Sequence, residues 1–143
     1  MKAVKRDARE MKDSGIEWIK EYPKKWQLIK VKHVLFIENG SDPKTEGVIP
    51  VYGSGINSFK TCGEFKEGPT VLLGRKGTLN IPQYIEGYYW NVDTAFNTLK
   101  KKEESIDLRY FYFLAMCFDY KYYMSQTTLP SMTQTAYNNM TIP

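Results

Sequence analysis

The chain changes its hydrophobic rhythm once, and that change constrains the fold more than any other feature. Between residues 27 and 99 the apolar stretches are short, rich in β-branched and aromatic residues, and cut by turn residues. The densest stretch holds Leu28, Ile29, Val31, Val34, Leu35, Phe36 and Ile37, and Gly40-Ser41-Asp42-Pro43 ends it. Its pattern fits a strand, a helical turn and a second strand. Residues 48–52 read as another short strand. Pro50 offers no ladder donor, so an edge position or a strand end is expected there. Residues 70–73 read as a buried strand, entered from Gly68-Pro69 and left through the turn Gly74-Arg75-Lys76-Gly77. Further strands are expected at 79–85, 88–91 and 94–99, divided by Glu86-Gly87 and Asn91-Val92-Asp93. After Lys102 the spacing becomes helical. Leu108, Phe111, Ala115 and Phe118 recur every three or four residues behind a capping Asp107, and Thr133 can cap a last short helix. Together these predict one α+β domain with a mixed sheet in the first two thirds and helices toward the C-terminus.

The 143 residues, 42% hydrophobic and 25% charged, match an ordinary globular domain and set aside disordered and coiled-coil classes. Residues 1–12 are polar and lack an apolar stripe, so they read as an arm. Ile16, Trp18, Ile19, Tyr22-Pro23 and Trp26 form an irregular strap that is expected to pack on the domain. Trp18, Trp26, Trp90 and the aromatics of 110–118 are assigned to packing, because large aromatics are mostly buried. No apolar run reaches the length needed to span a bilayer, and the N-terminus has no secretory pattern, so a cytoplasmic protein with no membrane partner is expected.

Catalytic constellations are scarce. Cys62 and Cys117 stand far apart, and His33 is the sole histidine, so no zinc spacing exists and no metal is expected. His33 lies in an apolar stretch and reads as structural, and no G-x-S-x-G elbow occurs. Gly74-Arg75-Lys76-Gly77-Thr78 is not a P-loop, because Thr78 follows Gly77 directly. Gly53 and Gly55 have Ser58 where a dinucleotide fingerprint needs its third glycine. A Mg²⁺-dependent nuclease needs two acids and a lysine, and Asp42, Glu64 and Lys66 fit that outline. An acid two residues before a lysine nevertheless occurs four times here, also at Glu10, Asp42 and Asp119, which is near chance. No cofactor is called for.

Twenty Lys and Arg against sixteen acids give a net charge of +4, concentrated in residues 1–32, where ten cations face five acids. That balance permits a polyanionic partner without demanding one. The Lys100-Lys101-Lys102 run, followed by Glu103-Glu104, reads as a solvated turn. The segments 53–58 and 74–80 are more informative, since they place glycines beside donors. Glycine lets a backbone approach a ligand, Arg pairs with guanine and Asn with adenine. Ser54, Asn57, Lys60, Arg75, Lys76 and Asn80 are therefore the candidate DNA contacts. The same glycines could equally serve turns, with Arg75 and Lys76 keeping a hairpin tip soluble. A binding module that uses its aromatics for a peptide or sugar is a further alternative.

Five landmarks in order carry a resemblance. They are the opening from Met11 to Ile19 with Pro23 and Trp26; Ile49-Pro50-Val51-Tyr52-Gly53; the Gly74-Arg75-Lys76-Gly77 turn; Trp90-Asn91-Val92-Asp93-Thr94-Ala95-Phe96; and Thr127-Thr128 with Pro130, followed by the closing Met140-Thr141-Ile142-Pro143. Over residues 11–143 the chain resembles the target recognition domain of type I restriction-modification specificity subunits, leaving 1–10 as an N-terminal extension. The resemblance implies a non-enzymatic, sequence-specific reader of double-stranded DNA. It would bind one half of a bipartite target and direct adenine methyltransferase subunits and a nuclease subunit. The family continues past the closing Ile-Pro into a long spacer helix that docks the methyltransferases, whereas this sequence ends at Pro143, so that partnership is an expectation only. A homo-oligomer is compatible with it. Lys20 stands where the family commonly has glycine.

Overall fold

The computed structural model describes residues 6–125 and 130–143, so the Thr127-Thr128 landmark and half of the N-terminal extension lie outside the described residues. The strands are β1 (Met11–Asp13), β2 (Glu21–Pro23), β3 (Ile29–Lys30), β4 (Leu35–Glu38), β5 (Ile49–Tyr52), β6 (Lys60–Cys62), β7 (Lys66–Glu67), β8 (Thr70–Gly74), β9 (Gln83–Ile85), β10 (Tyr88–Asn91) and β11 (Ala95–Lys100). Then come helices α1 (Leu108–Cys117), α2 (Tyr120–Tyr123) and α3 (Gln134–Asn138), and finally β12 (Thr141–Ile142). A larger antiparallel sheet has the order β4-β11-β8-β9. A second four-stranded sheet has the order β6-β5-β10-β7, in which β5 and β10 run parallel. β1 pairs with β2 and β12 with β3. This is the expected α+β arrangement, sheet first and helices late.

Burial follows the hydrophobic pattern. Every residue of β8 is buried, which is why it reads as a continuous apolar run rather than an alternating one. α1 starts where Asp107 accepts the Arg109 N–H at 2.8 Å, and it buries Leu108, Phe111 and Ala115 on one stripe. These join Val71, Leu73, Phe96, Met132 and Tyr137 in the main core. The packing assignment of 110–118 holds for Phe111 and Phe118 in the core and for Tyr112 and Leu114 packed against it, but not for the whole segment. Phe113 is 61% exposed and Met116 is exposed as well, because both lie round the helix from Phe111. Trp26 also departs from its assignment. It is 43% exposed, edge-on to Tyr110 and beneath the Arg6 guanidinium at 5.8 Å. Trp18 and Trp90 are partly buried. Among the described residues, no helix is long and apolar enough to cross a membrane.

Two local expectations change. β5 is an interior strand, not an edge, despite Pro50. The Val51 carbonyl accepts the Phe59 N–H at 3.1 Å, so Val51 turns its polar groups toward β6 and Pro50 turns its own the other way. The ladder with β10 begins only at Val51, so Pro50 owes no N–H on that side. The described part of the N-terminal arm, residues 6–12, carries structure as well, and the otherwise irregular strap gains one short strand, β2. A 3₁₀ turn at Ala8–Glu10, capped by Asp7, leads into the β1–β2 hairpin. Lys20, before β2, has φ 60, a left-handed backbone that glycine would adopt without strain.

One side chain ties the sheets together. The Lys66 ammonium, on β7, donates to Asn91 Oδ1 on β10 at 2.9 Å, to Asn97 Oδ1 on β11 at 2.7 Å and to the Asn39 carbonyl at 3.3 Å. It also lies 5.1 Å from the Trp90 ring centre. Burial pushes its pKa down, while Glu38 pulls it up.

Candidate nucleic-acid interface

β5, β8 and β10 end, and β11 begins, in one cluster of loops. The organising residue is Thr94. Its carbonyl accepts the Arg75 N–H at 2.8 Å and the Lys76 N–H at 3.2 Å, while its hydroxyl accepts the Ser54 N–H at 3.2 Å. The loop after β5, the turn after β8 and the turn before β11 are thereby held as one surface. Gly77 has φ +83, and a Cβ there would stand 3.2 Å from the Ser54 hydroxyl, so the two loops touch through a glycine. Gly53 is buried against Thr94, where a Cβ would lie 2.8 Å from the Thr94 Oγ1.

The cluster is braced from behind. Gln83 Nε2 donates to the Gly53 carbonyl at 3.1 Å. The Tyr137 hydroxyl of α3 donates to the Gly74 carbonyl at 2.6 Å, and the Met132 N–H donates to the Arg75 carbonyl at 2.9 Å. The C-terminal third therefore supports the turn that carries Arg75 and Lys76. Burial keeps the Tyr137 phenol protonated far above the ordinary tyrosine range, which fits a structural donor.

The six sequence candidates fall into three groups. Ser54, Arg75 and Lys76 meet around Thr94. Arg75 is half-buried, spends one Nη1–H on the Asp93 carbonyl at 3.2 Å and lies 6.0 Å from the Phe96 ring centre. Part of its guanidinium is thus positioned by the protein, with donors left over. Asn57 and Lys60 lie further along the same loop and into β6, both exposed, with Lys60 Nζ 5.4 Å from the Phe59 ring centre. Asn80 is exposed and is not tied to the others by any hydrogen bond among the described residues. Among the described residues, none of Lys60, Arg75 and Lys76 is in an ion pair. Sequence reasoning missed Thr94, Gln83 and Tyr137. The Asn91-Val92-Asp93 turn signal and the Trp90–Phe96 landmark pointed at or near Thr94, and nothing indicated that it faces Ser54.

The nuclease outline is placed differently. The Glu64 carboxylate accepts the Lys44 N–H at 2.7 Å, the Thr45 N–H at 2.8 Å and a short bond from the Thr45 hydroxyl. The Thr45 hydroxyl and the Lys44 N–H hold its carboxyl below the usual range. Lys66 is engaged in the amide cage between the sheets, so Glu64 and Lys66 do separate structural jobs. Among the described residues, no three His, Cys, Asp or Glu side chains are grouped to hold a metal ion. His33 is exposed in the 3₁₀ turn before β4.

No protein-family model matches the sequence, and no curated protein matches it. Solved structures do match by shape. The type I restriction-modification system S subunit from M. genitalium superposes with a TM-score of 0.69 at 11% identity, over 82% of this chain and 33% of that one. The HsdS subunit from Thermoanaerobacter tengcongensis gives 0.66 at 14% identity, over 95% of this chain and 36% of that one. A chain from a structure of complex assembly and conformational transition in the type I R-M system gives 0.66 at 15%, over 94% and 37%. The chain spans about a third of the length of these structures. It has the fold of part of a type I restriction-modification S subunit.

Proposed function

We propose that this chain is a DNA target recognition domain that binds double-stranded DNA with sequence preference through the loop cluster around Thr94. The observation that carries the reading is the convergence of two glycine-flanked, donor-bearing loops on Thr94, with Arg75, Lys76 and Lys60 outside any ion pair among the described residues. The shared fold with S subunits supports it. Lys60 and Lys76 would neutralise phosphates and fix register. The remaining Arg75 donors, with Asn57, Ser54 and Asn80, would meet base edges. The Arg75–Asp93 hydrogen bond limits how many rotamers Arg75 loses on binding, which lowers the entropic cost.

On this reading the domain reads one half of a bipartite target as part of a specificity subunit. It is not itself an enzyme and uses no cofactor. Adenine methyltransferase and nuclease subunits would supply the chemistry, and the whole works in the cytoplasm. Residues 11–143 form the recognition domain and 1–10 an extension to it. Fluorescence anisotropy with a labelled random duplex pool tests the reading. Two phosphate-neutralising lysines should give a slope of log affinity against log salt of about −2. Absence of binding, or binding indifferent to salt, would overturn it.

A further inference from the structure

Two large apolar side chains stand out of the loop cluster where a polar partner surface is proposed. Ile56 is 64% exposed and Phe59 is 58% exposed, on the segment that joins β5 to β6. Their burial is not what holds the loop, because Gly53, Thr94 and Gln83 do that. Phe59 is also the more rigidly mounted of the two. Its N–H donates to the Val51 carbonyl at 3.1 Å, one residue before β6 begins, so the ring projects from a backbone fixed to the sheet. Lys60 sets its ammonium 5.4 Å from the ring centre, and Asn57 lies two residues before it. An apolar ring on a fixed mount, flanked by a cation and an amide, matches the chemistry of a duplex step. The ring meets base faces while the cation meets the neighbouring phosphate.

We infer that Phe59 is a wedge that enters a base step of the bound duplex and partly unstacks it, with Ile56 covering the adjacent base edge. The inference rests on the proposed DNA reading and adds a deformation to it. Unstacking costs free energy that depends on the step, least at flexible pyrimidine–purine steps, so the wedge contributes sequence preference without a hydrogen bond to a base. Wedges of this kind kink duplexes by about 20–90°. Charge complementarity favours DNA over an apolar partner, because Lys60 borders the ring and Arg75 and Lys76 stand on the same loop cluster, all three outside any ion pair among the described residues.

The test uses the full chain and the duplex that it enriches from a random pool, with 2-aminopurine substituted at each position in turn. Wild type should raise the 2-aminopurine fluorescence at one step and shorten the end-to-end distance in a doubly labelled duplex. Phe59→Ala should abolish both signals and weaken binding roughly tenfold, while leaving the salt slope unchanged. Phe59→Leu, which keeps an apolar wedge, should retain part of the fluorescence rise. Far-ultraviolet circular dichroism of each variant checks that the fold is intact. If wild type binds the enriched duplex with no step brightened, or Phe59→Ala brightens it equally, the wedge is overturned and the DNA reading stands. If no duplex is enriched or bound by wild type, the reading fails and the wedge with it.

Discussion

The two four-stranded sheets are held by different physics. The β4-β11-β8-β9 sheet lies under the main core, where α1, α3 and the segment around Met132 bury large apolar groups. Among the described residues, the β6-β5-β10-β7 sheet has a small buried apolar cluster of Val51, Cys62 and, just past β10, Val92, with Tyr89 buried on β10 as well. It is fastened instead by polar ties: Lys66 to Asn91 and Asn97, Glu64 to the 44–45 backbone, and Trp90 Nε1 to the Ser41 carbonyl at 2.7 Å. One sheet is a foundation, and the other presents much of the loop surface. A surface that must meet a polar, hydrated ligand gains little from apolar burial, whereas hydrogen bonds can fix its loops without adding bulk.

That contrast can be broken from either side. The largest effect is expected from Phe111→Ala. The fully buried ring sits between α1 and the large sheet, and its removal should cost about 3–5 kcal/mol in urea unfolding. Next is Lys66→Met, which leaves the Asn91 and Asn97 side-chain oxygens without their donor and should cost about 1–3 kcal/mol. A smaller effect, seen in binding rather than folding, is expected from Arg75→Ala. Affinity for the preferred duplex should fall about tenfold and sequence preference should relax, with the salt slope little changed. Thr94→Val keeps the carbonyl contacts but removes the acceptor for Ser54 N–H, and should cost about 1 kcal/mol while loosening the 53–57 loop.

The pH dependence sharpens the same comparison. Burial lowers the Lys66 pKa in the folded state, so above that lowered value the unfolded chain holds a proton that the folded chain has released. Stability contributed by Lys66 therefore rises with pH through a window that closes near the ordinary lysine value of 10.5. The stability difference between wild type and Lys66→Met should widen across that window in urea titrations. A narrowing difference would show that burial does not govern this ammonium.

The large sheet and its helices were readable because their burial leaves a pattern in the chain, continuous in β8 and helical in α1. β8 reads as an unbroken apolar run, and Asp107 with Leu108, Phe111 and Ala115 marks α1 at its true start. β6, β7 and β12 carry no such signal. Lys60-Thr61-Cys62, Lys66-Glu67 and Thr141-Ile142 are strands only because β5, β10 and β3 pair with them, which is a tertiary effect. Pro50 misled for a related reason, since its missing donor matters only if a neighbour needs it. Ser54, Arg75 and Lys76 were legible as donors beside glycines. Their meeting was not, because Ser54 and Thr94 are forty residues apart and are joined by the parallel β5–β10 pairing. Exposure of Phe59, Phe113 and Trp26 was equally hidden, because composition does not say which face of an aromatic-rich element lacks a cover.

Hydroxyl-radical footprinting of the chain with and without duplex DNA tests the central claim most directly, because reactive side chains mark both regions. Ile56 and Phe59 report on the loop cluster; Phe113, Met116 and Trp26 report on the helical face. The account predicts that DNA protects Ile56 and Phe59 and leaves Phe113, Met116 and Trp26 at their free reactivity. Protection confined to the helical residues, or none at any of the five, would contradict it.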